Sequence, residues 1–283
     1  MEILRVENLV KRYERFTLNN VSFTLDHGYI MGFIGRNGAG KTTTLKSMLN
    51  LVHADGGQVT LMGEDFFTHE LACKQKIGFM FGGIDYYPKT RLKNISRVVK
   101  RFYREWNDQQ FETYLQRFEL DPDKRADQLS DGMRVKFSLA LALSHNAQLL
   151  ILDEPTSGLD PVSRDDLLEL FQELIEDGQR SILFSTHITS DLEKCADFIT
   201  YIKDGEIVAS MDKDGFLDAY RLVRGTSEQL TADLSARMVG SKTHAFGFTG
   251  LIRTSDLSGL SAVRDLEVAP ADLESIMIYT ERK

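Results

Sequence analysis

Cysteine is scarce: the 283 residues include only Cys73 and Cys195, far apart and in no CxxC pair. Two isolated thiols provide neither a disulfide framework nor a metal cluster, and they fit a reducing compartment as buried small hydrophobes. Long apolar runs are missing as well. The longest, LALAL at 139–143 and LLIL at 149–152, fall far short of the roughly 18 residues of a spanning helix. Any work at a membrane therefore needs a partner that does the spanning. The opening MEILRVENLVKRYE carries charges throughout, which is not the pattern of a signal peptide. Positive charge is in deficit, with a formal net charge of -8, and this argues against broad nucleic-acid binding, which depends on Lys and Arg neutralising phosphates. Repeats, low-complexity segments and sustained heptads are absent. What remains is ordinary globular material, 42% hydrophobic and 27% charged, enough for a real core. The length exceeds a typical domain of roughly 100–200 residues and predicts one large domain with a small appendage.

Alternating ILRVENLVKRY and LNNVSFTLDHGYIMGFIG predict strands with turns at Asn19-Asn20 and His27-Gly28. Leu45, Met48 and Leu49 share one face of a helix that begins after Gly40, and helical spacing resumes from Arg91 to Glu119. LLILDEP and SILFST are continuous apolar runs, as expected of parallel strands buried on both faces. Strands alternating with helices predict an α/β architecture. Near Lys213 the pattern changes to short strand-like pieces, YRLVRG and HAFGFTGLIRT, and a final helix in APADLESIMIYTERK. The predicted division is a large domain over 1–212, with a helical region at about 88–145, and a small α+β segment over 213–283.

GRNGAGKT, Gly35 to Thr42, follows the apolar YIMGFI and matches G-x-x-x-x-G-K-[ST] between a strand and a helix. Glycines let backbone N–H groups turn inward around a phosphate, and the helix start adds partial positive charge. Candidate phosphate-binding residues are therefore Gly35, Arg36, Asn37, Gly38, Ala39, Gly40, Lys41, Thr42 and Thr43. Lys41 would reach the β- and γ-phosphates, and the Thr42 hydroxyl would ligate Mg²⁺. In LLILDEPTSGLD, a buried strand delivers Asp153 and Glu154 to its end, the edge where ligands bind in such sheets. Asp153 suits the Mg²⁺, directly or through water. Glu154 suits the base or the orienter of an attacking water, ahead of the alternative of a solvated carboxylate at a strand end.

With both motifs present, residues 1 to about 210 resemble the ATP-binding subunits of ABC transporters. LSDGM, Leu129 to Met133, resembles the signature sequence; SGLD, ending at Asp160, resembles the D-loop. STH, ending at His187, resembles the switch histidine, and Tyr13 resembles the aromatic that stacks on adenine, against the alternative of strand packing. The resemblance implies a P-loop NTPase fold of ABC type: a RecA-like core with an antiparallel β subdomain and an α-helical subdomain. It also implies ATP as ligand and Mg²⁺ as its ion, in a homodimer or heterodimer of ATPase subunits sandwiching two ATP. There Ser130, Asp131 and Gly132 would face the γ-phosphate held by the other subunit, His187 would contact it, and Asp160 would link the sites. Ser130 is independently a credible cap for the helix carrying FSLALAL. The other implied partner is an integral-membrane permease at the cytoplasmic face of the membrane. Chromosome-maintenance ATPases need a coiled coil and translation factors need two heads, and this sequence has neither.

Three features depart from the commoner family pattern or qualify it. Asp131 and Met133 stand where glycine and glutamine are usual, and the extra carboxylate predicts weaker dimer closure on ATP. Gly82 stands where a glutamine is usual after the strand, which leaves a water or Asp85 to serve the metal. It predicts weak ATPase activity in isolation and, with Gly83, an unusually flexible coupling loop. A basic stretch from Lys89 to Arg104 has two readings, a solvated helix face or a contact with acidic partner loops or anionic headgroups. The C-terminal helix resembles that of ATPases serving ABC-2-type exporters, so the expected role is export, with import or a nucleotide-gated regulator that does not pump as alternatives.

Overall fold

The computed structural model describes residues 1–81, 87–257 and 266–282, which form two compact units, Met1–Ser210 and Met211–Lys283. The first unit runs β1 (Glu2–Arg12), β2 (Thr17–Asp26), β3 (Ile30–Ile34), α1 (Lys41–Met48), β4 (Gly56–Leu61), β5 (Glu64–Asp65), α2 (Glu70–Gln75) and β6 (Ile77–Phe81). It continues α3 (Leu92–Val99), α4 (Asp108–Arg117), α5 (Asp131–Leu143), β7 (Leu149–Asp153), α6 (Pro161–Ile175), β8 (Ser181–Thr186), α7 (Thr189–Cys195), β9 (Phe198–Lys203) and β10 (Glu206–Asp212).

A six-stranded sheet has the order β10-β9-β3-β8-β7-β6, and β9, β3, β8, β7 and β6 are mutually parallel. β3 and β8 are buried along their whole length, which is why IMGFI and SILFST read as continuous apolar runs. A four-stranded antiparallel sheet, β2-β1-β4-β5, packs on the same core through Leu4, Val6, Phe23 and Leu25. The expected turn at Asn19-Asn20 is not one. β2 continues through both residues, and Asn20, at φ 49°, falls where the β1–β2 register shifts between Leu9 and Lys11. A left-handed Asn suits a bulge as well as a turn, so its identity alone does not separate the two.

The helical stretch from Arg91 to Glu119 is interrupted. α3 ends at Val99, a 3₁₀ turn covers Lys100–Phe102, and α4 restarts behind Asn107, whose side chain accepts from the Gln110 N–H. Arg104 is thus off the helix that carries Lys93 and Arg97. Part of the basic stretch is paired within the chain: Arg91 and Lys93 share Asp123, and Lys100 meets Asp108.

Behind α5, His145 is 2% exposed and stacks on Tyr103 with ring centroids 3.6 Å apart. Burial lowers its pKa to about 4. The unfolded imidazole protonates near 6.5, so between those values the unfolded chain binds more protons, and stability present above pH 6.5 is lost as the pH falls toward 4. Replacing His145 with Phe keeps the stack and removes the titration. In urea unfolding, the variant's loss of stability between pH 7 and pH 5 should be smaller than the native chain's by about 2 kcal/mol. Equal losses would exclude His145 as the source.

The second unit contains α8 (Lys213–Asp218), β11 (Tyr220–Gly225), α9 (Ala232–Arg237), β12 (Met238–His244), β13 (Gly247–Arg253), α10 (Thr254–Leu257), β14 (Glu267–Pro270) and α11 (Leu273–Thr280). Its sheet has the order β12-β13-β11-β14, and Val223, Leu234, Met238, Phe248 and Ile252 form a separate core. No helix among the described residues is long and apolar enough to cross a membrane.

Candidate active site

The loop from Gly35 to Gly40 joins β3 to α1 at the carboxyl edge of the six-stranded sheet. Glycine is required at two of its positions. A Cβ on Gly35 would come within 2.4 Å of the Ile202 carbonyl oxygen, and Gly40 sits at φ 115° as the N-cap of α1, with no capping side chain over the helix start. Lys41 is 5% exposed and folds back over the loop. Its Nζ donates to the Gly35 carbonyl at 2.7 Å and lies 3.1 Å from Glu154 Oε1.

β7 carries Asp153 to the same edge, and the pairing of β7 with β8 sets Ser185 beside it. The Thr42 hydroxyl donates to Asp153 Oδ2 at 2.8 Å and the Ser185 hydroxyl to Oδ1 at 2.6 Å. Glu154 follows at φ 52°, its N–H donating to Ser185. With its proton on Nδ1, His187 donates to Glu154 Oε2 at 2.8 Å. One carboxylate therefore contacts both the lysine and the histidine.

These groups open onto a cleft of about 470 Å³ lined by Tyr13, Phe16, Lys41, Thr42, Glu154 and His187, with Arg36, Asn37, Gly38, Gly40, Thr43 and Ser157 around them. Tyr13 is half exposed, with the Lys11 ammonium 5.5 Å from its ring centre. Sequence reasoning missed Phe16 and Ser185, and gave Ser157 only as the first residue of SGLD. For Phe16 the signal was an aromatic three residues beyond Tyr13; for Ser185 the sequence held none, since its place opposite Asp153 is set by the pairing of β7 with β8. Ala39 lies in the loop without lining the cleft, its N–H bonded to the Arg36 carbonyl.

Ser130, Asp131, Gly132 and Asp160 are not among the residues lining this cleft. Ser130 caps α5 by accepting from the Met133 N–H, and Asp131 Oδ1 lies 3.4 Å from Arg134. Asp160 caps α6, accepting from the Val162 and Ser163 N–H groups. The Ser163 hydroxyl first, then these N–H groups, hold its carboxyl below the usual range. Gly82, Gly83 and Asp85, and with them the missing glutamine, lie outside the described residues.

The sequence model for the ABC transporter family matches residues 18–157. The lantibiotic transport ATP-binding protein SrtF of Streptococcus pyogenes is 33% identical over 216 residues, which is 75% of this chain and 92% of that protein. The chain belongs to the ABC transporter ATP-binding subunits. A second relative of this ABC ATPase, the Nod factor export ATP-binding protein I of Burkholderia lata, is 30% identical over 293 residues, covering 96% of this chain and 94% of its own. Among solved structures, an ATP-binding subunit of an ABC transporter superposes with a TM-score of 0.68 at 27% identity, covering 75% of this chain and 91% of that one. The fold is thus that of the ABC ATPases, whose domain binds ATP.

The oxygen pair of Thr42 and Asp153 fits Mg²⁺, since a hydroxyl and a carboxylate side by side are hard donors of the kind that ion prefers. Among the described residues, no group of three His, Cys, Asp or Glu could hold a metal. The ABC ATPase offers an incomplete set that nucleotide phosphates and water would complete.

Proposed function

We propose that this ATPase powers a separate integral-membrane permease from the cytoplasmic face of the membrane, in the direction of export. The observation that carries the reading is the convergence of Lys41, Thr42, Asp153, Glu154 and His187 on one cleft under a glycine loop. A relative named for Nod factor export supports the direction.

In this reading the loop N–H groups and Lys41 bind the phosphates of ATP, and Tyr13 stacks on the adenine. Thr42 and Asp153 would hold Mg²⁺, which when bound supplies positive charge against the phosphate oxygens. Glu154 orients the attacking water and accepts its proton; His187 steadies Glu154 and meets the γ-phosphate. Ser130, Asp131, Gly132 and Asp160, which do not line the chain's own cleft, serve the cleft of a second ATPase subunit. An apolar groove of about 510 Å³ bordered by Leu71, Phe79, Phe81, Val99 and Phe102 suits a helical segment of the permease. The unit after Ser210 is assigned to regulation or dimerisation.

The test is the assembly state of Glu154→Gln in ATP and Mg²⁺. Light scattering should show a dimer that reverts to monomer on nucleotide removal. A variant that binds ATP and stays monomeric would exclude the sandwich.

A further inference from the structure

Asp191, on α7, is buried at 1% exposure among polar groups that have no part in nucleotide binding. Three segments meet on it. Thr156, buried and two residues beyond Glu154, donates its hydroxyl to Asp191 Oδ2 at 2.6 Å. Arg164, one turn into the helix that Asp160 caps, brings Nε to 3.9 Å from Oδ1. Asp191 itself lies four residues past His187, on a segment tied down by the Ile188 N–H to Thr186 and the Asp191 N–H to Ile188.

The two arms differ. The Thr156 arm is a made bond, whereas Asp191 Oδ1 and Arg164 Nε are both buried without a hydrogen-bond partner. A buried anion and a buried N–H that face each other unbonded are costly, and a shift of about 1 Å would bring them into bonding range. α6 and α7 are also linked at the surface by Lys194 with Asp165 and Glu169, so such a shift keeps existing contacts.

We propose that Asp191 is a positioning residue for hydrolysis. It straps the loop bearing Glu154 and Ser157, and the helix headed by Asp160, to the segment bearing His187, and its open arm to Arg164 closes when nucleotide draws those segments together. The carboxylate acts through Thr156 and Arg164 and touches no substrate. The proposal rests on the roles given above to Glu154 and His187.

The test compares Thr156→Val, Asp191→Asn, Asp191→Ala and Arg164→Gln in the full chain, reading single-turnover ATP hydrolysis, ADP affinity and thermal midpoint. Thr156→Val and Asp191→Ala should slow hydrolysis by about tenfold or more, the scale of a small misplacement at a reacting centre, with ADP affinity within about twofold. Asp191→Asn keeps an acceptor for Thr156 and should recover part of the Asp191→Ala rate. Arg164→Gln removes the charge facing Asp191 and should lower the thermal midpoint, but should slow hydrolysis by more than Asp191→Asn does at an equal loss of midpoint, because the hydrogen bond to Oδ1 is then also out of reach. Should Asp191→Ala not fold, Thr156→Val and Arg164→Gln decide alone. Hydrolysis at the native rate in those two, or losses in rate that simply follow losses in thermal midpoint across the series, would overturn the strap. Failure of the underlying assignment looks different: hydrolysis would then survive Glu154→Gln and His187→Ala.

Discussion

Glu154→Gln should cut single-turnover ATP hydrolysis by about 100-fold or more while ADP binds at least as tightly as to the native chain. The rate falls because an amide cannot take the proton of the attacking water, and general-base groups are worth about 10²–10⁴-fold. The affinity result has a separate cause. In the structure the Glu154 carboxylate holds Lys41 at 3.1 Å and His187 at 2.8 Å, so phosphates must compete with it for the ammonium. A neutral amide releases that hold. Because ADP has no γ-phosphate, its binding reports on Lys41 without the catalytic step. The contact is largely shielded from solvent, and a gain of about threefold is expected. Calorimetric titration with ADP and a quenched single-turnover assay read the two effects separately. Rapid hydrolysis would remove Glu154 from its role, and weaker ADP binding would remove the lysine contact from the account.

Lys41→Ala should weaken ATP binding by about 100-fold or more, the scale of losing a buried charge-assisted contact to phosphate. Two losses combine. The ammonium no longer meets the phosphates, and Glu154 faces the incoming γ-phosphate with its cationic neighbour gone. Lys41→Arg should not restore binding. The side chain is 5% exposed and its tip fits the Gly35 carbonyl at 2.7 Å, a place for a compact ammonium and not for a planar fork. Equilibrium binding of a fluorescent ATP analogue checks both variants. Retained affinity in Lys41→Ala would contradict the phosphate-loop assignment.

The grouping of Lys41, Thr42, Asp153 and Glu154 was legible because these residues sit at the ends of strands that announce themselves. An apolar run followed by glycines or carboxylates fixes Lys41, Thr42, Asp153 and Glu154 at one sheet edge, whatever lies between. Ser185 was not legible in that way. It reaches Asp153 through the pairing of two strands 32 residues apart, and strand register is set by the assembled sheet. The same holds for Asp191, whose partners Thr156 and Arg164 come from another loop and helix; read alone it is a polar residue early in a short helix. Asn20 was misread because a left-handed Asn marks turn and bulge alike, and the break before α4 was missed because apolar spacing carries across a cap such as Asn107. In each case the local pattern was real, and long-range pairing decided its meaning.

Glu154 has a left-handed backbone, at φ 52°, which a residue with a side chain tolerates at a cost of about 1–2 kcal/mol and glycine tolerates freely. The position therefore sets backbone strain against two contacts, since the same side chain meets Lys41 and His187. Glycine there would relax the turn and at once leave the buried Lys41 ammonium without its carboxylate partner. What the side chain touches is what holds the backbone in its strained turn.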